Sequence, residues 1–475
     1  MKDISVDLCV IGAGAAGLTA ASIAAQLGAS VALIERSEMG GECLNTGCVP
    51  SKALLAAAKA AHGIRASSRF GIEAGEPRVD FRAIHRQVHE VIAAIAPHDS
   101  VERFERMGVK VIHAEARFVE PRVLAAGKKR VRARRVIIAT GSAPATPKIA
   151  GLDSVEHFTN ETIFDNATLP DHLLVVGGGP IGIELAQAHR RLGARVTVLE
   201  DSNTMPHDDR ELVTRLLKVL TDEGVTIREN AKVRAVRRSD SGIVLSIEQG
   251  GRISELEGSH LLVAAGRSAR VASLDLERAH VRFTDKGIVV DSRLRTSARG
   301  VYAIGDVVAE APRFTHVAGY HAGVAVRNAL TFPFTRTNYD SLAWVTYTDP
   351  ELAQVGMVED KARKVHGNDV RVARFEMKDN DRAQTELATG GAVRAIVGKN
   401  GRILGASILD THAGELAHVW VVAIQSGLKL SELARMVAPY PTLGEANKMA
   451  AVEFYKPIVF NKWTRCFVRM LARLP

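Results

Sequence analysis

One pattern occurs twice in these 475 residues, and it restricts the fold more than any other feature. Val6–Ile11 is an apolar, β-rich run. It enters Gly12-Ala13-Gly14-Ala15-Ala16-Gly17, then an alanine-rich helical stretch over Leu18–Leu27, then a strand over Ser30–Ile34 ending in Glu35. The second copy is Leu173–Val176, Gly177-Gly178-Gly179-Pro180-Ile181-Gly182, a helix over Ile183–Leu192, and a strand over Arg195–Leu199 ending in Glu200. The first glycine and the closing acid are 23 residues apart in both copies, from 12 to 35 and from 177 to 200. In such a turn Gly12 and Gly177 make the tight bend. Gly14 and Gly179 let the backbone approach a pyrophosphate, and Gly17 and Gly182 let the helix pack close to the strand. The helix N-terminus offers unpaired N–H groups to phosphates, and the acid can take both ribose hydroxyls. The repeat therefore implies two dinucleotide sites in one chain.

The length suits about three domains at roughly 100–200 residues each. A composition of 46% hydrophobic and 24% charged residues excludes disorder. The four cysteines, Cys9, Cys43, Cys48 and Cys466, are too few for a disulfide-stapled scaffold. The opening MKDISVDLCVIGAG does not read as a signal peptide, and no run of 18 apolar residues occurs. A cytoplasmic protein is the expectation. Val136–Gly141, VIIATG, reads as a buried strand ending in a turn, and Val301–Asp306, VYAIGD, reads likewise. Asp153–Pro170 looks like a boundary. After about residue 335 short alternating strands (Val370–Phe375, Ala392–Val397, Ile403–Ile408) precede helices (Glu415–Ser426, Ser431–Met436).

Glu200 bears on nicotinamide choice. A 2′-phosphate would face Glu200 and Asp201, and like charges there cost energy. The following SNTMPHDD has no Lys or Arg before Arg210. NADH is expected over NADPH, unless Arg210 folds back to serve a phosphate.

Gly40-Gly41-Glu42-Cys43-Leu44-Asn45-Thr46-Gly47-Cys48-Val49-Pro50-Ser51-Lys52 carries two cysteines five apart, followed by a helical run over Ala53–Ala60. Metal pairs have two to four intervening residues and a second pair elsewhere. None exists here, so no metal site is expected and a redox disulfide is the favoured reading.

This segment, placed after an N-terminal nucleotide fingerprint, resembles the class I pyridine nucleotide–disulfide oxidoreductases, the group of dihydrolipoamide dehydrogenase, glutathione reductase and mercuric reductase. Ala139–Gly141, the second fingerprint, Ile304–Asp306, Thr348–Gly356 (TDPELAQVG) and His412–Glu415 (HAGE) follow in the family's order. The resemblance implies an α/β enzyme with two Rossmann-like, three-layer domains and a C-terminal α+β interface domain. FAD-binding parts would fall at 1–150 and 266–335, the NAD(P)-binding domain at 151–265, and the dimerisation domain at 336–475. It implies FAD held by Gly12, Gly14, Gly17, Glu35, Gly41, Lys52, Thr140, Gly141, Gly305 and Asp306. The nicotinamide nucleotide would be held by Gly177, Gly179, Gly182, Glu200 and Gly266. Cys48 would lie against the flavin and Cys43 would exchange with the acceptor. Lys52 would pair with Glu184, a cation that suits reduced flavin and lowers a neighbouring thiol's pKa. A homodimer is implied, each active site completed by Tyr440 and Glu445 of the other subunit.

The chain departs from that pattern. Disulfide-reducing relatives carry His-Pro-Thr-x-x-Glu, where a histidine shuttles the proton. Here Tyr440 stands at the histidine, and Ala438 where lipoamide enzymes often have a second one. A phenol of pKa about 10 is a poor base at neutral pH. Mercuric reductases also carry a tyrosine there, but their vicinal cysteine pair is missing, since Cys466 stands alone. The residue before Cys43, usually threonine, is Glu42, which should raise the thiol pKa. The acceptor therefore stays open among a disulfide, a metal ion and a quinone, with a redox-sensing flavoprotein as the non-enzymatic alternative.

Lys plus Arg exceed Asp plus Glu by nine. The cluster Lys128–Arg135 reads as a solvated hairpin, and no nucleic-acid motif accompanies it. Over 459–474, Phe460, Trp463, Phe467, Met470 or Leu471, and Leu474 recur at helical spacing, with Lys462, Arg465, Arg469 and Arg473 mainly on other faces. That pattern suggests peripheral contact with an anionic membrane or packing on the protein itself.

Overall fold

The first copy of the repeat builds the centre of a seven-stranded sheet, in a computed structural model that describes residues 2–240 and 242–473. Along Lys2–Ile11, the residues Leu8, Cys9 and Val10 are wholly buried, as a parallel strand covered on both faces requires. It pairs in parallel with Val31–Glu35 on one side and Lys129–Ile138 on the other. Lys110–His113 extends the sheet beyond Val31–Glu35, and Val123–Ala126 and Ala116–Glu120 extend it the other way. Val301–Ala303 joins the end of Lys129–Ile138 in parallel. Helices Ala15–Gln26 and Thr315–Leu330 cover one face, and their small side chains share a core with Ile137 and Tyr302.

The basic cluster lies on Lys129–Ile138, a strand with two environments. Its first part alternates, with Val131 and Ala133 buried and Arg132 and Arg134 exposed, in a hairpin with Val123–Ala126. Its second part, Val136–Ile138, is buried between parallel strands.

The second copy forms the parallel strands His172–Val176, Arg195–Leu199 and His260–Val263 around helix Pro180–Leu192. The two copies agree in detail. A Cβ on Gly17 would lie 1.8 Å from the Gly12 carbonyl oxygen, and one on Gly182 would lie 2.1 Å from that of Gly177. Both helices therefore pack against their turns at a distance only glycine permits. Ala139 N–H donates to Ile11 C=O and Ala264 N–H donates to Val176 C=O, both at 2.8 Å.

Residues up to 201 together with 230–337 form one compact unit, and 202–229 together with residues from 338 onward form another. The sequence grouped 202–229 with the second nucleotide unit. The charges explain the grouping with the C-terminal residues: Arg394 donates to Asp209 at 3.0 Å, and Arg215 to Glu376 at 2.7 Å. The second unit is a five-stranded antiparallel sheet, ordered Ala343–Thr346, Glu351–Gly356, Ile403–Asp410, Ala392–Val397, Arg371–Glu376. The helix expected over Glu415–Ser426 is two, Ala413–Leu416 and His418–Gln425. Glu351, from TDPELAQVG, accepts the Gly414 N–H of HAGE at 2.8 Å, so these two motifs hold each other. Among the described residues no helix is long and apolar enough to cross a membrane.

Two buried imidazoles make this fold sensitive to acid. His189 Nδ1–H donates to Leu185 C=O at 2.8 Å, and His321 Nδ1 accepts the Gly305 N–H at 3.1 Å. Burial pushes both pKa values down to about 4. The unfolded chain, with histidine pKa about 6.5, takes up protons that the folded one refuses. Stability present at neutral pH is thus lost as pH falls from about 6.5 towards 4, by up to about 1.4 kcal/mol per pH unit for each histidine. Urea unfolding between pH 7 and 5 should show this slope, and His321→Asn should flatten it by about one proton. An unchanged slope would contradict the assignment.

Candidate active site

Cys43 and Cys48 sit on either side of a sharp break between two helices, Gly41–Asn45 and Cys48–Ala66. Asn45 Nδ2 closes the first, donating to Met39 C=O at 3.0 Å and Gly41 C=O at 2.8 Å. The segment is anchored to the first fingerprint, because Gly40 N–H donates to Ala13 C=O at 3.0 Å. Gly41, with φ +59°, brings its backbone so near Gly14 that a Cβ would lie 2.6 Å from the Gly14 Cα.

Cys48 is the first residue of a 19-residue helix, where the positive dipole end favours a thiolate. Both cysteines are free thiols. A hydrogen bond from Cys43 is the main cause that lowers the Cys48 pKa to about 6. Thr315 Oγ1, 3.4 Å from the sulfur, and the charge of Lys52 add to it, while burial and Glu184 oppose it. The same hydrogen bond, with burial, pushes the Cys43 thiol up. The pair is therefore a thiolate at Cys48 accepting from a thiol at Cys43. Lys52 lies one turn along the helix and pairs with the buried Glu184, Nζ to Oε2 2.7 Å.

The expected effect of Glu42 on Cys43 needs correction. The Glu42 carboxylate is held by Arg267 through two hydrogen bonds, one of 2.6 Å from Nη1, and by Asn160 Nδ2 at 2.9 Å. Its charge is spent on the guanidinium, and the Cys43 shift comes from Cys48 and burial. Arg267 Nε also donates to Ser142 Oγ at 2.8 Å, and Ser142 Oγ donates to Asp306 Oδ2 at 2.8 Å. Thr140 Oγ1 donates to Arg270 C=O at 2.8 Å.

A cavity of about 530 Å³ runs through the first unit. Its wall includes Gly12, Gly14, Glu35, Gly41, Thr140, Gly141, Gly305 and Asp306, and also Cys43, Cys48, Lys52 and Glu184. Gly17 is not on the wall; it sets the helix against the turn from behind. Helix Ala15–Gln26 opens into the cavity with no side-chain cap and no acid in its first turn, so its N–H donors are available to an anion. An adenine dinucleotide fits: its pyrophosphate can lie on that helix end and its ribose on Glu35. Glu35 Oε2 accepts the Ala13 N–H at 2.6 Å, and Glu200 Oε2 accepts the Gly178 N–H at 2.7 Å. Helix Pro180–Leu192 is likewise uncapped behind Gly177 and Gly179. Gly266 adopts φ +120° just after strand His260–Val263.

The pyridine nucleotide-disulphide oxidoreductase profile matches residues 6–322, and that family's dimerisation domain matches residues 342–451. The chain belongs to this family. It is 37% identical over 456 residues to a mercuric reductase of Streptomyces lividans, covering 94% of this chain and 96% of that one. It is 35% identical to a dihydrolipoyl dehydrogenase of Thermus scotoductus, covering 95% and 98%. Among solved structures, the HOCl-induced flavoprotein disulfide reductase RclA of Escherichia coli, as its Cu(II) complex, superposes with a TM-score of 0.85 at 27% identity, covering 94% and 99%. LpdA of Mycobacterium tuberculosis gives 0.85 at 28%, covering 94% and 100%. The protein is thus a flavin-dependent oxidoreductase that uses FAD and a pyridine nucleotide, and its Cys43–Cys48 pair fits a redox-active disulfide. Its dimerisation domain supports a homodimer.

Tyr440 and Glu445 belong to the second unit. Tyr440 is 69% exposed, and its hydroxyl donates to Asp381 Oδ2 at 2.7 Å. That carboxylate holds the phenol's pKa above its ordinary value. Glu445 is the first residue of helix Glu445–Val459. Sequence reasoning missed Ser142, Asn160, Arg267 and Thr315. Ser142 and Arg267 each directly follow a glycine that had been singled out, Gly141 and Gly266. Thr315 carried no signal beyond opening a helix.

A pH titration of the Cys48 thiolate in the reduced enzyme should have its midpoint at about 6. Thr315→Val removes one hydrogen bond to sulfur and should move that midpoint upward. A midpoint that stays in place would remove Thr315 from the site.

Proposed function

We propose that this enzyme takes reducing equivalents from NADH in preference to NADPH and delivers them through Cys43 and Cys48 to a thiol-reactive acceptor. The observation that carries the reading is the thiolate–thiol pair in the wall of the same cavity that suits FAD. FAD supplies the two-electron carrier between nicotinamide and thiols. Gly12, Gly14, Gly41, Thr140, Gly141 and Gly305 give it room, Glu35 and Asp306 hold its hydroxyls, and Lys52, oriented by Glu184, places a cation beside it.

The chain's own chemistry then follows. Reduction of the disulfide by two electrons and two protons leaves Cys43 and Cys48 as thiols, with Cys48 ionised first. Cys43, once deprotonated, attacks an acceptor disulfide and releases one of its thiols. Cys48 attacks the mixed disulfide and releases the other, restoring the Cys43–Cys48 bond. Removing the Cys43 proton is the difficult step, because that thiol's pKa is raised. If Tyr440 of the other subunit completes the site, it brings a phenol already committed to Asp381, not an imidazole base. Small disulfides are therefore poor acceptors. A soft metal ion is a better one, because binding to two thiolates itself displaces the Cys43 proton. The similarity to mercuric reductases supports this order of preference.

The preference for NADH rests on Glu200 and on Arg210. The Arg210 guanidinium is engaged by Glu229, at 3.0 Å and 3.2 Å, and by the Thr204 carbonyl at 3.2 Å. It is not free to meet a 2′-phosphate.

NADH should give kcat/KM at least about tenfold above NADPH, about 1.4 kcal/mol, and Glu200→Ser should narrow the gap. Equal efficiencies would refute the preference. Steady-state assays with Hg(II), Cu(II), quinones, lipoamide and glutathione disulfide test the acceptor. Hg(II) or Cu(II) turnover above the disulfides, lost in Cys43→Ser, is the expected result; fastest turnover with a small disulfide would overturn the order. Tyr440→His should raise lipoamide activity severalfold, and no change would place Tyr440 away from the exchange thiol.

A further inference from the structure

The segment beyond the family's dimerisation domain, which matches up to residue 451, has no place in the chemistry above. Helix Glu445–Val459 ends at Phe460, and Asn461 starts a new helix, Lys462–Leu471, by accepting the Thr464 N–H on its side chain at 2.9 Å. The sequence suggested one helix over 459–474. The structure breaks it at Phe460–Asn461, and Leu474 lies outside the described residues.

None of the ten residues of Lys462–Leu471 is buried. The core of the second unit reaches Phe454 and Tyr455 and, among the described residues, takes in nothing further along the chain. Yet the helix is strongly two-faced. At about 100° per residue, Trp463, Phe467, Met470 and Leu471 fall within one arc of about 100°. Lys462, Arg465 and Arg469 fall within about 60° on the opposite side. Trp463 is 86% exposed and Phe460 60%. No acid occurs after Glu453 through Arg473, while Lys456, Lys462, Arg465, Arg469 and Arg473 are all basic.

We propose that Lys462–Leu471 docks this enzyme onto an anionic lipid surface. The apolar arc lies in the headgroup–acyl boundary and the basic arc meets lipid phosphates. The charge pattern selects that occupant. A face made to pack on a second copy of this chain needs apolar complementarity and draws nothing from a polar side of one sign. An acidic bilayer rewards both arcs at once. The single tryptophan on this helix suits the interface, where its ring is apolar and its N–H stays wet.

The test uses the full-length, FAD-loaded enzyme with large vesicles of phosphatidylcholine alone or with about a third phosphatidylglycerol. Co-sedimentation should be at least about tenfold stronger on the anionic vesicles and should weaken in high salt. Trp463→Glu with Phe467→Glu should abolish binding. Arg465→Gln and Arg469→Gln should each weaken it about fivefold. NADH-dependent turnover with a soluble acceptor should match wild type in every variant, which shows that the fold is intact. Equal binding to neutral and anionic vesicles, or binding unaffected by the glutamate variants, overturns the proposal. So does conversion of the dimer to monomer by those variants without lipid, because a second copy then covers the face.

Discussion

The active-site chemistry rests on the seating of Gly40–Gly41 against the first nucleotide turn. The Gly40 N–H to Ala13 C=O bond and the near contact of Gly41 with Gly14 leave no room for side chains between the two segments. The turn's shape comes from the sheet, through Ala139 and Ile11, so the position of Cys43 and Cys48 is inherited from a parallel β-sheet. A disulfide on a free loop would find a flavin only part of the time. Here the helix carrying Cys48 starts seven residues past the contact at Gly41, and its dipole, Lys52 and Thr315 act on the sulfur from fixed positions.

Much of this was legible in the sequence because the constraints are local. A strand, a glycine turn, a helix and an acid at fixed spacing meet their steric demands within about 25 residues, so both copies could be read with nearly correct boundaries. The pair Cys43 and Cys48 with Lys52 lies within one such window. What escaped depends on contacts between distant segments. Arg267 and Glu42 are 225 residues apart in the chain, and Arg394 and Asp209 are 185 apart. No periodicity marks an ion pair of that kind, so neither the Arg267 partner of Glu42 nor the tie between Asp209 and Arg394 left a signal in the sequence. Helix Phe81–Ile95 also went unread. Only Val88 along it is buried, so little of its apolar pattern is tied to the core.

Glu42 shows how a charge beside a thiol can be neutral in effect. Adjacent in sequence, it could be expected to oppose ionisation of Cys43. Held by Arg267, it links the exchange-thiol helix to Ser142 and through it to Asp306. One guanidinium thus serves two carboxylates of the cavity wall, one directly and one through Ser142, and the helix of Cys43 is tied to Asp306. Charge balance around the thiols is set by the network, not by the neighbouring residue.

The acids that close the two fingerprints have a consequence for ligand exchange. Glu35 and Glu200 each already accept a backbone N–H from their own turn. The carboxylate acts as a brace that keeps the turn in shape, while leaving its remaining lone pairs for sugar hydroxyls. A nucleotide arriving there meets a mould that is already set, so little ordering has to accompany its arrival. With the ordering cost low at both fingerprints, how long a nucleotide stays is set by how many further contacts it makes beyond the brace.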